Sequence, residues 1–533
     1  MKARSGLTIL LGLLLLCQAA TLMAGGAKEA AETAAIKVNE SGFPIVAEKI
    51  TLKGFSRLEP QNGPYDEMTL WKDYEEMTNI HIDWETPGLQ NVKERKNLIL
   101  ASGEVPDFFI KGVLTEGDIL KYGAAGVITP QEKLIDKWAP NVKKMFEDYP
   151  SVKGSLTAPD GHIYSLPNVS AYARGVVFRY PLINVKWLER LGLEPAKTSE
   201  EFLNMLRAFR DNDANDNGDP TDEIPYSAHN MVLAFRGICG MFGVNYEVHY
   251  GNPSLGRYPM KVENGKIHLQ LTDDNMKKAL QYYAKMYEEK LLDQEIFIHT
   301  KKEYFAKLAA GRYGFTPLHQ PRNAGKYKGE YDAMVPPKGP RGDQIWNFSR
   351  AMVRGIEAFA MTHANKYPEA TLRWVDYFYS EEGAVQMYLV RPDEFCDTAP
   401  EGGYQFKKHV LEAKEGFARY MGSHTIWGGG MAPVLSIEKA SDPLSRGAMR
   451  TYLAKVADHQ PRDEVIKLPL RKTEDLDREL EIRSDMDSYI MEMWANFATG
   501  QIGFDKWDQY VTTLEKMGLK ELEAIFQRAL SGN

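Results

Sequence analysis

Residues 211–223 read DNDANDNGDPTDE, and their spacing is that of a loop wrapped around a hard cation. Counting from Asp213, oxygen-bearing side chains fall at the first (Asp213), third (Asn215) and fifth (Asn217) places, and Gly218 at the sixth permits a sharp turn. Asp219 offers a backbone carbonyl, while Asp222 and Glu223 close the shell. The twelfth place is Ile224, so the last carboxylate arrives one residue earlier than in an EF-hand. The expected ion is Ca2+ in a structural role, because no acid–base pair stands nearby. The plain alternative is a solvated Asn/Asp turn between a helix and Ile224-Pro225.

Motifs of catalysis are absent. There is no His-Glu-x-x-His and no Gly-x-Ser-x-Gly, and Gly428-Gly429-Gly430 lacks the Lys-Ser/Thr of a phosphate-binding loop. The 11 histidines are scattered rather than clustered as a metal-dependent hydrolase would want them. Carboxylates are numerous enough for a glycosidase or lyase pair, but no spacing marks one. The expectation is therefore a binding protein and not an enzyme. An exported polysaccharide-processing enzyme and a peptide-binding receptor stand as alternatives.

The address is written at the start of the chain. Lys2 and Arg4 precede an apolar run from Leu7, and small residues follow at Ala24-Gly25-Gly26, the three regions of a secretory signal peptide. The expected cut follows Ala24, leaving 25–40 as a small, charged tether with no hydrophobic face. Lipidation at Cys17 and an uncleaved anchor are the other readings of the same residues. Loss of Lys2 and Arg4 with the signal takes the net charge from −8 to −10, which argues against a nucleic-acid partner. Cys239 and Cys396 allow one disulfide or two buried thiols.

The elements that must position any site read as alternating strands and helices. Residues 50–55 and 80–84 alternate as strands, 68–77 and 91–101 are helical, and 107–110 form a strand after Pro106, the βαβ rhythm of a sheet covered by helices. Further on, 184–191, 273–290, 304–310, 367–378 and 474–497 read as helices and 313–316 as a strand. Thr198 and Glu201 have the spacing of a capping box at another helix start. Trp71, Trp187, Trp374 and Trp494 fall on helical faces and belong to the core.

Several phrases occur in an order that resembles family 1 extracellular solute-binding proteins. They are 101–107 (ASGEVPD), 158–167 (APDGHIYSLP), 184–188 (NVKWL) with 198–202 (TSEEF), and the ending from 497 to 519. The loop at 213–223 is similar to the calcium loop of the oligosaccharide-binding lipoprotein branch, with one residue more between the glycine and the Asp-Glu pair. The resemblance implies an α/β fold of the periplasmic-binding-protein type II class, two lobes closing on a sugar. It further implies the permease subunits of an ABC transporter as partners, an extracytoplasmic location and a monomer. The expected lobes are 41–170 with 351–430, and 171–350 with 431–533.

Sugars present apolar faces edged with hydroxyls, so a sugar site wants aromatic rings and bidentate polar groups. The candidates are Arg57 after the first strand, Asp107, Tyr172 and Arg174 in the first crossing, Trp346 and Arg354 flanking the return crossing, and Trp427 beside the glycines. Phe315 and His319 lie on and after the strand from Tyr313, His319 with the plain alternative of a polar loop residue. The three arginines Arg57, Arg174 and Arg354 hint at an acidic glycan.

Overall fold

A computed structural model describes residues 36–172, 177–249, 258–399, 403–426, 431–436, 446–462 and 464–532. The expected signal at 1–24, most of the tether, Arg174 and Trp427 lie outside these residues.

Two sheets organise the chain. The first contains β1 (Ile50–Phe55), β2 (Ile80–Glu85), β3 (Phe108–Ile110), β4 (Leu166–Ser170), β9 (Val353–Met361) and β10 (Val434–Ser436), in the spatial order β10-β4-β9-β3-β1-β2. The second contains β5 (Tyr180–Asn184), β6 (Ile224–Tyr226), β7 (Tyr313–Leu318) and β8 (Tyr331–Ala333), in the order β8-β5-β7-β6. Each sheet is covered by helices and owns a separate hydrophobic core.

The first core follows from strand alternation. Ile50 and Leu52 of β1 point inward, and Gly54 completes the row because a Cβ there would lie 2.8 Å from Ile82, Phe108 and Trp84. Trp71, on the helix Thr69–Thr78, stacks on Trp374 with centroids 5.6 Å apart, and Phe108 of β3 packs on the same indole at 5.4 Å. In the second core the helix Ser199–Asp211 lays Phe202 and Phe209 on the sheet. Burial of such a ring is worth about 2–3 kcal/mol. Phe209 approaches so closely that a Cβ at Gly314 would lie 2.5 Å from its ring, so β7 needs glycine there. Thr198 caps this helix through the Glu201 amide, but the Glu201 carboxylate takes the Lys197 amide, one residue before the expected box position.

Pairing directions decide where the chain crosses between sheets. β1, β2 and β3 are mutually parallel, β9 runs antiparallel to both β3 and β4, and β10 is parallel to β4. The C-terminal ends of β1, β3, β4 and β10 and the start of β9 therefore meet at one edge. In the second sheet β7 is parallel to β6 and antiparallel to β5, so the ends of β6 and β7 meet the start of β5. Residues 171–179 connect β4 to β5, and the stretch before β9 returns alongside them. Val177 bridges Ser349, and the Phe178 amide donates to the Phe348 carbonyl at 3.0 Å.

A third passage leaves after β10. The sequence placed residues from 431 onward in the second lobe, yet Val434–Ser436 pairs with β4, so the chain is still in the first sheet at Ser436. A three-residue strand is too short to show a period. Cys239 lies buried in the second core and Cys396 buried in the first, so the two do not pair with each other.

Candidate functional site

The strand ends that converge on the crossings carry a set of polar groups. On the first sheet, Arg57 follows β1 and its Nε donates to Glu59 at 2.9 Å. Lys111 follows β3 with a positive φ of 69°, buried, its Nζ donating to Asn62 at 3.1 Å and to the Tyr65 hydroxyl at 3.2 Å. Burial pulls this ammonium down to about 8, against the opposing pull of Glu59. Sequence reading passed over Lys111. The only signal for it was its place immediately after a β3 that ends in Phe-Phe-Ile.

At the crossings, Tyr172, Arg350 and Arg354 come together. Burial and the neighbouring Arg354 push the Arg350 guanidinium down to about 9, with Tyr172 and Tyr180 acting in the other direction. Arg350 also lies over the Phe178 ring, 5.5 Å from its centroid. On the second sheet, Arg179 opens β5, His229 follows β6, and His319 follows β7. Burial and then four arginines, Arg350, Arg322, Arg354 and Arg179, hold His319 down to about 4. This places Tyr172, Arg354 and His319, all candidates from the sequence, in one electrostatic neighbourhood between the sheets.

Three other candidates fall elsewhere. Asp107 precedes β3 and so stands three residues back from the shared edge; its carboxylate takes the Lys53 amide at 2.6 Å and pins β3 to β1. Trp346 is 1 % exposed, its indole Nε1 donating to the Arg179 carbonyl at 2.8 Å and its ring tilted on Phe348 at 4.8 Å. It packs as core at the crossing. Phe315 is buried among Phe202 and Tyr226. Trp346 and Phe315 turn into the core and Asp107 lies at the far end of β3, features that sequence position alone does not carry.

A cavity of about 1230 Å³ also borders the crossings, lined by Val177, Met352 and Val353 together with Glu247, Arg462 and Lys467. It reaches Ser151 in the first lobe, whose hydroxyl donates to Glu464 at 3.0 Å.

The acidic loop lies at the start of β6, the end of the second sheet remote from the crossings. Its side chains do converge. The Asp213 carboxylate accepts from the amides of Asn217 (3.0 Å) and Gly218 (2.8 Å), and Asn215 Oδ1 accepts from the Asn217 amide at 3.0 Å. Asn215 Nδ2 donates to Asp222 at 2.7 Å, and Glu223 Oε1 accepts from the Asn215 amide at 3.2 Å. Glu223 Oε2 is buried with no hydrogen-bond partner, and burial, with Asp222 and Asp213 adding to it, raises that carboxyl. The Asp219 carboxylate turns out to Thr221. Among the described residues no three or more His, Cys, Asp or Glu are gathered as for a metal ion. Amides and the Arg312 guanidinium, 3.4 Å from Asp222, share the work.

The chain is similar over most of its length to proteins of known role. The fructooligosaccharide ABC transporter substrate-binding protein FusA of Streptococcus pneumoniae is 28% identical, the likeness covering 97% of this chain and 96% of that one. The structure of S. pneumoniae FusA with kestose superposes with a TM-score of 0.73 at 27% identity, covering 90% of this chain and 99% of that one. A FusA EF-hand mutant with fructo-nystose superposes equally well, at 0.73 and 26%, with the same coverage. An HMO-binding solute-binding protein of Bifidobacterium longum infantis shares the fold, with a TM-score of 0.76 at 21% identity, covering 91% of this chain and 99% of that one. The family model for bacterial extracellular solute-binding protein matches residues 61–385, and with that match the chain belongs to this family.

Proposed function

We propose that the gap between the two sheets captures an oligosaccharide and delivers it to the membrane subunits of an ABC importer. The observation that carries this reading is the meeting of strand ends from both sheets at the crossings, where Tyr172, Arg350, Arg354 and His319 act on one another while Arg57 and Lys111 follow β1 and β3 at the edge of the first sheet. Such a gap between sheet ends is where ligands bind in open α/β folds. The full-length likeness to FusA supports a sugar ligand and transport rather than turnover. Ligand contacts to both lobes favour a closed form, and permease subunits would read that form. Arg174 and Trp427 remain candidates for the same site.

The loop from Asp213 to Glu223 fits a structural Ca2+. Asp213, Asn215, Asn217, Asp222 and Glu223 carry oxygen atoms around a turn made by Gly218 at φ 88°, and Glu223 Oε2 has no hydrogen-bond partner among the described residues. The cation would neutralise carboxylates that now lean on amides. Export by the 1–24 signal, with lipid attachment at Cys17 or release after Ala24, completes the proposal. No helix of the described residues is long and apolar enough to cross a membrane.

The test is thermal unfolding of residues 25–533 against a panel of oligosaccharides. A ligand of the folded form raises the midpoint, by about RT ln(1 + [L]/Kd) in free energy. A raised midpoint with the sugar recovered intact supports the reading. Cleaved sugar, or no shift with any sugar, overturns it.

A further inference from the structure

We propose that Arg179, with His229 and His319 beside it, receives an anionic group of the ligand, so that the oligosaccharide captured carries a carboxylate or a sulfate. This rests on reading the gap as an oligosaccharide site.

Arg179 is only 8 % exposed at the start of β5, where the first crossing enters the second sheet. Its Nη1 donates to the Pro317 carbonyl at 3.1 Å and its Nη2 to His229 Nδ1 at 3.1 Å. Its Nε is buried with no hydrogen-bond partner among the described residues. No carboxylate stands within ion-pair distance of it among the described residues. A buried guanidinium is ordinarily matched by a carboxylate, because leaving such a charge uncompensated in a low dielectric is costly. Here both acceptors are neutral.

His229 sharpens the picture. Because Nδ1 accepts from Arg179, the ring carries its hydrogen on Nε2, and that Nε2 is also buried without a partner among the described residues. Tyr304 and Phe305 pack edge-on against the ring at 4.6 and 4.9 Å. Burial, then Arg179, Lys301 and His299, push His229 down to about 3, so it is a neutral donor at any physiological pH. His319 makes no hydrogen bond among the described residues, and the charged groups that act on it are cations. Asp293, whose oxygen takes the Ser227 hydroxyl two residues from His229, is already engaged by Lys307 and His299. The end of the second sheet thus holds a charged donor and a neutral donor without an anion beside them among the described residues. A planar carboxylate matches a guanidinium edge, and a sulfate ester offers the same oxygen geometry.

The experiment is calorimetric titration of residues 25–533 and of two variants with a glycan panel. The panel holds neutral fructo- and gluco-oligosaccharides, oligogalacturonates, the methyl esters of those oligogalacturonates, alginate oligomers and sulfated oligosaccharides. The variants are Arg179→Gln and His319→Gln; the second removes no described hydrogen bond and serves if the first unfolds. The expected result is that an acidic class binds best, that a carboxylate ligand loses its hold on esterification, and that Arg179→Gln weakens it about 100-fold. His319→Gln weakens it about 10-fold with the unfolding midpoint unchanged. Carboxylate and sulfate sources are told apart by which class binds. Neutral sugars binding best, with equal affinity for parent and variants, overturn the proposal while leaving oligosaccharide capture intact. If no glycan binds at all, the oligosaccharide reading itself fails and this proposal with it.

Discussion

Arg471 stands 3.0 Å from Glu116 and 3.1 Å from Glu479, tying the helix Glu116–Ala124 beside the first sheet to the helix Thr473–Thr499 in the second core. Arg471 is 6 % exposed, and Leu470 before it packs into the first core while Leu468 packs into the second. Arg483 continues the chain of charges, 2.8 Å from Glu479. Arg471→Leu would leave two carboxylates without their shared cation at this seam. Loss of one partner of a buried pair typically costs about 3–5 kcal/mol. Urea unfolding should show a drop of that order, and Glu116→Gln a smaller one.

Asp293 sets an acid limit on the second lobe. Burial opposes its charge, but His299, Lys307, the Glu295 amide and the Ser227 hydroxyl hold the carboxyl down to about 2. A carboxyl whose folded pKa is depressed adds stability above its ordinary value of 3.8 and loses it as pH falls from there towards 2. The shift corresponds to about 2 kcal/mol. Asp293→Asn should lower stability at pH 7 and flatten the pH dependence between 4 and 2, measured by denaturant titration at several pH values.

Trp346 separates packing from ligand contact. If it is core, as its bond to the Arg179 carbonyl indicates, Trp346→Phe costs about 1–2 kcal/mol of stability from the lost indole bond and volume and leaves sugar affinity within about twofold. A large loss of affinity at unchanged stability would return it to the ligand site.

The acidic loop makes a direct metal prediction. Calcium should raise the unfolding midpoint and a chelator lower it, and Asp213→Ala should abolish the difference. Sugar affinity should change little, because the loop sits at the end of β6 away from the crossings. Equal midpoints with calcium and with chelator would assign the loop to a solvated turn.

Much of the scaffold was legible because it is local. Ile50–Phe55 shows its period of two, and the helices Thr69–Thr78 and Val92–Ser102 appear within a residue or so of their expected bounds. Asn184 and Thr198 cap the helices they were expected to open. Long-range placement was less legible. Whether Trp346 points to ligand or to core depends on the Arg179 carbonyl, 167 residues away, and no local pattern encodes that. Lys111 and Arg179 escaped notice for the same reason: a cation inside an apolar phrase looks like an interruption until the strands beside it are paired. His319 was visible as a loop residue, but its ring of arginines comes from three separate segments.

Lobe closure on a sugar is measured most directly by small-angle scattering of residues 25–533, with and without an oligosaccharide that raises the unfolding midpoint. The radius of gyration should fall on binding and the sugar should be recovered unchanged. A bound sugar with no change in dimensions would contradict capture by closure, and a cleaved sugar would contradict transport binding altogether.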